Sequence, residues 1–496
     1  MKENQISIPM IESFSDKPEI EPLDWVQIGG KAGHFLMDPS NGVLKTDEKG
    51  LKYFTAFLEG KSKELITYGC VVLGKILRGD DTDPFLPTLS EFFNREWGLF
   101  LNEPGGDLIE YWYLMDVNAL ADAIIMKKMT DHPEIMEMWK SSTNRLIKLA
   151  RSLNYDFNAQ GYIFGKDSPF TRRNEFRQPD AVAGYAYLML LAYEAFHEDE
   201  YLQETKTAMR IYQDFKTNPW YEIPSGAMAC LAAARLNSMG FSFDLNKILN
   251  FTFDSDTGSM LAGKYGNSEI NGLMIGWRGY SREYATSSAY SMETMIVLPY
   301  VLPVARYDAR YARAIGKYAL HAASNARLFF SDYLPADFQS RPDLKPEIPY
   351  EKLCKEHEGH SPYGTGDCEG HKSVYGGGFA LWWSAIISQT NEPFIPRFDL
   401  TKTDFLEGDA YPTFLYYNPW KEERVLDLDA GTDSTDVYEL VLHQQLYKNV
   451  NGRVKITVPA DSARVVVLVS AGGQKTIENG KLMIDGVVVD HRFKED

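Results

Sequence analysis

The stretch Asp131-His-Pro-Glu-Ile-Met-Glu-Met-Trp-Lys140 contains the signals of a helix start, and similar signals recur over most of the chain. Asp131 is a candidate N-cap, Pro133 suits a first turn, and Glu134 stands three residues after Asp131, as in a capping box. Apolar or small side chains then recur every three or four residues, which is typical of one buried helix face. These are Ile135, Met138, Trp139, Ser142, Leu146, Leu149 and Leu153. The stretch therefore predicts an amphipathic helix.

The same reasoning predicts a succession of helices from residue 51 to residue 389. The other predicted helices cover 51–78, 86–97, 108–129, 180–197, 199–216, 223–238, 244–252, 284–304, 306–329 and 373–389. Tight connections such as 197–200 alternate with three long ones, 154–179, 253–283 and 330–372. Long irregular segments in a compact domain are usually functional loops. The alternation predicts stacked helical hairpins with the elaborated loops on one rim.

The pattern changes near residue 394. Residues 453–458 (RVKITV) alternate apolar and polar side chains, and residues 463–469 (ARVVVLV) form the apolar run of a buried strand. Asn-Gly and Asp-Gly pairs, typical of hairpin turns, stand at 451–452, 479–480 and 485–486. The sequence predicts an N-terminal extension (1–50), a helical domain (51–393) and an all-β, sandwich-like domain (394–496) with a structural role.

Composition excludes several classes of partner. A formal net charge of −18 disfavours nucleic acid and anionic membranes, because phosphates would be repelled. No stretch reaches the about 18 apolar residues of a membrane span. The N-terminus lacks the apolar run of a secretory signal, which favours a cytoplasmic protein unless a leader was trimmed. Four cysteines do not make a disulfide framework.

Three segments resemble parts of known carbohydrate-active enzymes: 105–113 (GGDLIEYWY), 178–185 (QPDAVAGY) and 375–378 (YGGG). With the paired helices and the all-β tail, they resemble the six-hairpin glycosidases and the toroid-plus-sandwich polysaccharide lyases, without identifying one family. The resemblance implies a mainly α protein, an (α/α)6 toroid with a C-terminal sandwich-like domain, and a carbohydrate as its partner.

In such a toroid, alternate helices form an inner ring whose N-termini meet at one mouth. Polar residues stand at the predicted helix starts, namely Asp107, Glu110, Arg177, Asp180, Glu222, Arg278, Glu283, Tyr284, Asp367 and Tyr375. Capping is the ordinary role of a carboxylate at such a position, so convergence on one mouth is needed to make a site. The same loops supply Trp112, Tyr113 and Trp277 as candidate sugar platforms, with core packing as the alternative.

Glycoside hydrolysis generally uses two carboxyl groups, one protonated and one ionised. The expected acid is Asp180, and the candidate bases are Asp107, Glu110 and Glu283. The expected activity is hydrolysis of an oligosaccharide, and the arginines of 278–282 (RGYSR) favour a uronate-containing one. A lyase is the first alternative, with Tyr284 and Arg278, or His360 or His371 with Arg282, as base and neutralising group. A non-catalytic carbohydrate-binding protein is the second.

The loop from Cys354 to His371 holds three histidines and two cysteines within 18 residues. Cys354, His357, His360, Cys368 and His371 could together ligate zinc, although their spacing is not that of a standard finger. A polar glycine-rich loop is the alternative, and cysteine catalysis through Cys368 is a further one. The chain has no GxGxxG or P-loop motif, so no nucleotide cofactor is expected.

Overall fold

Helices dominate the first four fifths of the chain in the computed structural model of this protein. The structure describes residues 5–58, 60–254, 258–265, 267–278, 287–336, 339, 346–354 and 372–493. Within these ranges, the helices longer than two turns are α1 (Trp25–Met37), α2 (Leu65–Arg78), α3 (Tyr111–Lys128), α4 (Pro133–Ser152), α5 (Ala181–Phe196), α6 (Asp199–Asp214), α7 (Ile223–Ser238), α8 (Leu245–Phe253), α9 (Ser291–Val301), α10 (Ala312–Asn325) and α11 (Val374–Ile386). None of the described helices combines the length and apolarity of a membrane span.

Six of these helices form a closed inner ring. In ring order α2, α3, α5, α7, α9 and α11 each pack on the next, and α11 packs on α2. Their surfaces are mostly buried on all sides, as expected of helices that are apolar all round. The amphipathic helices α1, α4, α6, α8 and α10 pack outside the ring. The helical region is therefore an α/α toroid.

Close packing between inner helices depends on small residues. A Cβ added to Gly184 of α5 would lie 2.7 Å from Cβ of Met115 on α3 and 3.0 Å from Oγ of Ser225 on α7. Such distances leave no room for a side chain, so glycine sets the separation of three consecutive inner helices.

Several predicted helices were wrong in extent. The helix predicted over 51–78 begins only at Leu65, because residues 52–54 form a strand. Residues 86–92 of the helix predicted over 86–97 form a 3-10 helix, whose Phe92 ring lies 5.4 Å from that of Tyr68. The helix predicted over 284–304 begins at Ser291 after a strand. The N-cap of α4 is His132 rather than Asp131, without a side-chain cap.

Short strands in the helical region shape its connecting loops. They are β1 (Leu44–Thr46), β2 (Lys52–Phe54), β3 (Phe93–Asn94), β4 (Leu99–Phe100), β5 (Leu108–Glu110), β6 (Gly161–Ile163), β7 (Ser168–Phe170), β8 (Lys264–Tyr265), β9 (Ser268–Glu269), β10 (Ser287–Tyr290) and β11 (Lys352–Cys354). The sheet β5–β6–β7 leads directly into α3, and the antiparallel pair β10–β11 leads into α9. Two inner helices therefore begin at strand ends.

The C-terminal region is built from strands. They are β12 (Ile387–Ser388), β13 (Arg397–Asp399), β14 (Thr413–Asn418), β15 (Arg424–Asp429), β16 (Thr435–Glu439), β17 (Gln444–Val450), β18 (Arg453–Val458), β19 (Ser462–Ser470), β20 (Lys475–Glu478), β21 (Lys481–Ile484) and β22 (Val487–Asp490). Six form one antiparallel sheet in the order β12-β13-β14-β19-β16-β17. The pair β15–β18 and the sheet β20–β21–β22 complete this region.

Successive side chains of the central strands point to opposite faces of the six-stranded sheet, and both faces are apolar. Leu415 and Val465 belong to the large core shared with the helices, and β14 and β19 pack on α10. Tyr416 and Val466 belong to a second core, which they form with residues of β15 and β18 such as Leu426. The sandwich-like assignment and the domain limits at 50/51 and 393/394 stay predictions. Helix α1, from the first fifty residues, packs on α11.

Candidate active site

Acidic residues occupy the starts of five inner helices. They are Glu64, Glu110, Asp180 and Glu222 at the N-caps of α2, α3, α5 and α7, and Glu293 in the first turn of α9. None of the four N-cap carboxylates accepts a hydrogen bond from its own helix. Simple capping therefore does not account for these acidic residues, and their partners have to be sought across the mouth of the ring.

A cavity of about 290 Å³ opens at this mouth. Its described lining contains four carboxyl groups, six aromatic rings, one amide, one methionine and one arginine. They are Glu110, Glu222, Glu293, Glu351, Trp112, Tyr113, Phe176, Tyr221, Trp277, Tyr375, Gln160, Met292 and Arg172. Aromatic faces beside a few convergent polar groups are typical of a small-molecule site.

Two glutamine amides fix the Glu110 carboxylate. Gln160 Nε2 donates to Glu110 Oε1 at 2.8 Å, and Gln178 Nε2 donates to Glu110 Oε2 at 2.9 Å. The Oε1 atom of buried Gln178 accepts from the backbone N–H of Trp112 at 2.8 Å, which orients the amide. Both carboxylate oxygens are thus acceptors, as suits an ionised carboxylate.

Glu222 and Glu293 form a buried carboxyl pair. They are 2% and 3% exposed, and their carboxyl groups lie within hydrogen-bonding contact. Burial and then the neighbouring Glu293 raise the pKa of Glu222 well above its usual value, and burial raises the pKa of Glu293 to about 8. Two adjacent buried carboxyl groups cannot both ionise readily, so the pair retains a proton at neutral pH.

One oxygen of this pair has no protein donor. Glu293 Oε2 is buried and accepts no hydrogen bond from the described residues. Glu293 lines the cavity, although this oxygen is itself shielded from solvent.

Asp180 is buried and does not belong to the described lining of the cavity. The backbone N–H of Tyr221 donates to Asp180 Oδ2 at 2.9 Å, and that of Glu222 donates to the same oxygen at 3.4 Å. Burial raises the pKa of Asp180 to about 7, against the lowering effect of these hydrogen bonds. Asp180 therefore holds the start of α7, which carries Glu222.

Aromatic side chains also line the site. The rings of Trp112 and Tyr113 lie 3.7 Å apart between centroids, and the Tyr375 hydroxyl donates to Glu64 Oε2 at 2.7 Å. Burial raises the pKa of Tyr113 and of Tyr375 well above 10. Both tyrosines therefore act as neutral hydroxyl groups.

Three other predicted site residues, Asp107, Arg177 and Arg278, are described but do not belong to the described lining. Asp107 is exposed, and its backbone carbonyl accepts from Phe164 at 2.7 Å. Arg177 donates to the Asn158 carbonyl, and Arg278 donates through Nη1 to the Trp220 carbonyl at 3.3 Å. Glu283, Tyr284, His360 and Asp367 lie outside the described residues, as do Arg282, His357, Cys368 and His371 of the alternative sites.

The zinc prediction accordingly stays a prediction. The described residues contain no group of three His, Cys, Asp or Glu side chains that could hold a metal ion. Of the proposed ligands, only the backbone of Cys354, in β11, is described.

Sequence reasoning missed several residues of this cavity as site members. They are Glu293, Glu351, Gln160, Arg172 and Tyr221. It also missed Gln178, which is outside the described lining but donates to Glu110. Glu222 was recognised as a polar helix start but not assigned a role. Gln178 lies within the segment 178–185 that carried the resemblance, so its position was a usable signal.

Comparison with known proteins gives similarity at the level of structure only. No protein-family profile matches the sequence, and no curated protein matches it. The chain is similar to a family 76 glycoside hydrolase (mannosidase) from Bacteroides thetaiotaomicron, with 10% identity, a TM-score of 0.46, and coverage of 73% of this chain and 97% of that one. It is similar to a cellobiose 2-epimerase from Bacillus thermoamylovorans, with 9% identity, a TM-score of 0.46, and coverage of 72% and 98%.

Proposed function

We propose that this protein is a carbohydrate-processing enzyme, and specifically a glycoside hydrolase that cleaves an oligosaccharide in the cavity at the toroid mouth. The observation that carries the proposal is the presence of two carboxyl systems of opposite character around one cavity. The Glu222–Glu293 pair retains a proton, whereas Glu110 offers two oxygens held as acceptors by amide donors. This is the division of roles that glycoside hydrolysis requires.

In the proposed reaction, Glu293 is the general acid. Glu293 lines the cavity, and its proton passes to the glycosidic oxygen as the bond to the sugar breaks. Glu222, in contact with Glu293, sets the protonation of the pair. Glu110 either activates a water molecule or attacks the anomeric carbon itself. In both cases one water molecule is added across the cleaved glycosidic bond. No cofactor enters this chemistry.

The roles expected from sequence change accordingly. Asp180 becomes a positioning residue, because its carboxylate is directed at the start of α7. Glu110 keeps its place as candidate base. We propose that the aromatic rings of Trp112 and Trp277 pack against sugar faces, and that the β-rich C-terminal domain is structural.

The experiment is a product analysis with a panel of neutral, amino and acidic oligosaccharides. We expect products that gain one water per bond cleaved, detected by mass spectrometry, with the anomeric outcome followed by NMR. Glu293→Gln, Glu222→Gln and Glu110→Gln should each lower turnover strongly. Glu103→Gln, the same change at an exposed residue, should not.

Other products would contradict hydrolysis. An unsaturated sugar formed without gain of water would indicate the lyase, and an isomer of unchanged mass would indicate epimerisation. Binding without turnover would indicate the non-catalytic protein.

A further inference from the structure

A second cavity of about 290 Å³ lies in the β-rich C-terminal region. Its lining comes from residues 388–391 at the turn between β12 and β13, from strands β13 and β14, and from the pair β15–β18. It is as large as the cavity at the toroid mouth, and the two described linings share no residue. The proposed hydrolysis makes no use of this second cavity.

Arg397 of β13 lines the second cavity and is held in place with most of its donors unused. Its Nε donates to Ser388 Oγ at 3.0 Å, and its Cζ lies 4.6 Å from the centre of the Phe414 ring. Neither Nη1 nor Nη2 has a hydrogen-bond or ion-pair partner among the described residues. A positioned guanidinium with free terminal N–H groups matches the two oxygens of a carboxylate.

Tyr416 of β14 adds a buried donor to the same lining. Because Phe398 pairs with Leu415 in the antiparallel register, Arg397 and Tyr416 occupy adjacent positions on neighbouring strands. Tyr416 is 1% exposed, and its hydroxyl makes no hydrogen bond to the part of the chain that the structure describes. Burial raises the pKa of Tyr416 above its usual value, against the opposing effect of Arg397, so the hydroxyl keeps its proton. A buried hydroxyl without a partner requires an explanation, such as a bound molecule.

The pair β15–β18 contributes acceptors and a further guanidinium to the lining. Asp427 forms an ion pair with Lys455, and Asp429 Oδ1 accepts from the backbone N–H of Gly431 at 2.9 Å. Arg453 stands opposite Asp429 in the strand register but has no ion-pair partner among the described residues. The two carboxylates retain further lone pairs that accept hydrogen bonds from hydroxyl groups. The second cavity thus combines free donors for an oxyanion with acceptors for hydroxyl groups.

We infer that the second cavity binds an acidic sugar unit, a uronate, with its carboxylate on Arg397 and Tyr416 and its hydroxyl groups on the carboxylates of β15. An inorganic anion would use the donors but not these acceptors, and a neutral sugar would leave the guanidinium groups without an anion. The inference goes beyond the proposed hydrolysis, because the site is separate from the toroid mouth. It adds a binding role to the structural one proposed for this region.

The test is direct binding to the wild-type protein, measured by calorimetry or ligand-observed NMR, with glucuronate, glucose, acetate and inorganic sulfate as probes. We expect glucuronate to bind at least about tenfold more tightly than each of the others, because charge-assisted hydrogen bonds and bonds to hydroxyl groups both contribute. Glucose bound as tightly as glucuronate would overturn the inference. Acetate or sulfate bound as tightly would indicate a simple anion site and would overturn it too.

Variants locate the binding. Arg397→Gln should weaken glucuronate binding about tenfold or more, and Tyr416→Phe, which keeps the buried ring, should weaken it about three- to tenfold. Arg397→Lys keeps the charge without the planar fork and should recover only part of the loss. Arg210→Gln, at an exposed position of α6, is the matched control and should change nothing. Thermal unfolding checks that each variant is folded, and unchanged glucuronate binding in folded Arg397→Gln or in Tyr416→Phe would overturn the inference.

Failure of this inference and failure of hydrolysis are distinguishable. Glu110→Gln alters only the cavity at the toroid mouth, so the glucuronate binding that depends on Arg397 should persist in it. Arg397→Gln should leave kcat on a disaccharide unchanged. If oligosaccharides are cleaved but glucuronate is not preferred, the hydrolase stands and the inference does not. If glucuronate binds through Arg397 but no oligosaccharide is cleaved, the inference stands and the proposed hydrolase does not.

Discussion

Asp180, at the start of α5, accepts a hydrogen bond from the backbone N–H of Glu222, at the start of the neighbouring helix α7, with an N···O distance of 3.4 Å. The N–H of Tyr221 donates to the same oxygen at 2.9 Å. A carboxylate at one helix start thus accepts from the two backbone N–H groups that immediately precede the next helix around the ring. The backbone position of Glu222 consequently depends on Asp180.

Removing this acceptor should affect both stability and activity. We expect Asp180→Ala to lower the free energy of unfolding by about 1–3 kcal/mol, because buried N–H groups lose their partner. The kcat/KM should fall as well, since the start of α7 carries Glu222 and Tyr221 into the cavity. Asp180→Asn keeps an acceptor oxygen and should lose less. Urea unfolding and steady-state kinetics measure the two effects.

Asp244→Ala is the matched control for Asp180→Ala. Asp244 caps the outer helix α8 by accepting from the backbone N–H of Lys247 at 2.9 Å. Its loss should cost about 0.5–2 kcal/mol of stability and leave kcat/KM unchanged. Equal kinetic loss in the two variants would contradict a specific role for Asp180.

The second prediction concerns the pH dependence of turnover. In the proposed mechanism Glu293 is the general acid, and a general acid must be protonated to act. Burial raises the pKa of Glu293 to about 8. The wild-type rate should therefore fall as pH rises through about 8. Glu293→Gln should lower kcat by about 10²–10⁴-fold and remove this alkaline limb.

The leaving group separates acid catalysis from a structural effect. A nitrophenolate departs without protonation, so Glu293→Gln should lose much less activity on a nitrophenyl glycoside than on an oligosaccharide. An equal loss on both substrates would argue against Glu293 as the acid.

Much of the helical architecture could be predicted from sequence because inner and outer helices leave local signals. The predicted range 223–238 coincides with α7, and the buried stripe of α4 includes Ile135, Trp139 and Leu146 as expected. Helix α1 escaped prediction because Gly29 and Gly30 lower helix propensity. In the structure Gly29 packs so closely on Ser384 of α11 that no Cβ could be accommodated. That requirement is tertiary and leaves no local pattern.

The site was less predictable than the fold. Carboxylates at helix starts indicated the mouth, yet their partners lie on other helices, as Asp180 and Glu222 illustrate. Glu293 was missed because the start of α9 was placed seven residues too early, before the strand β10. Contacts between distant segments, such as Gln178 with Glu110, are fixed by packing and cannot be derived from spacing along one chain.

The third prediction concerns stability against pH. Asp116 of α3 is fully buried, neither oxygen has a partner among the described residues, and burial raises its pKa from 3.8 to about 7. The folded state therefore binds this proton more tightly than the unfolded state. The resulting stability is fully present below about pH 4 and is lost as pH rises through about 7.

Asp116→Asn, which does not titrate, should lack this loss. The variant should gain stability relative to wild type between pH 5 and pH 8, seen as a rising difference in urea midpoints. The pKa values of Asp180 and Glu293 are also raised, in the wild type and in the variant alike. Only the difference between the two pH profiles therefore reports on Asp116. The urea midpoint of the control variant Glu103→Gln should change with pH in parallel with that of the wild type. Parallel profiles for Asp116→Asn would show that Asp116 does not couple folding to pH.

The fourth prediction tests the ring itself. Gly184→Ala would place a Cβ 2.7 Å from that of Met115, where neither helix can yield freely, and should destabilise the fold by about 1–3 kcal/mol. Gly30 of α1 is also helical, but an added Cβ meets nothing within 4 Å. Gly30→Ala should therefore stabilise the protein by about 0.5–1 kcal/mol through helix propensity. Thermal or urea unfolding measures the stability of the two variants. A gain in stability for Gly184→Ala would show that α3 and α5 are not held at this separation.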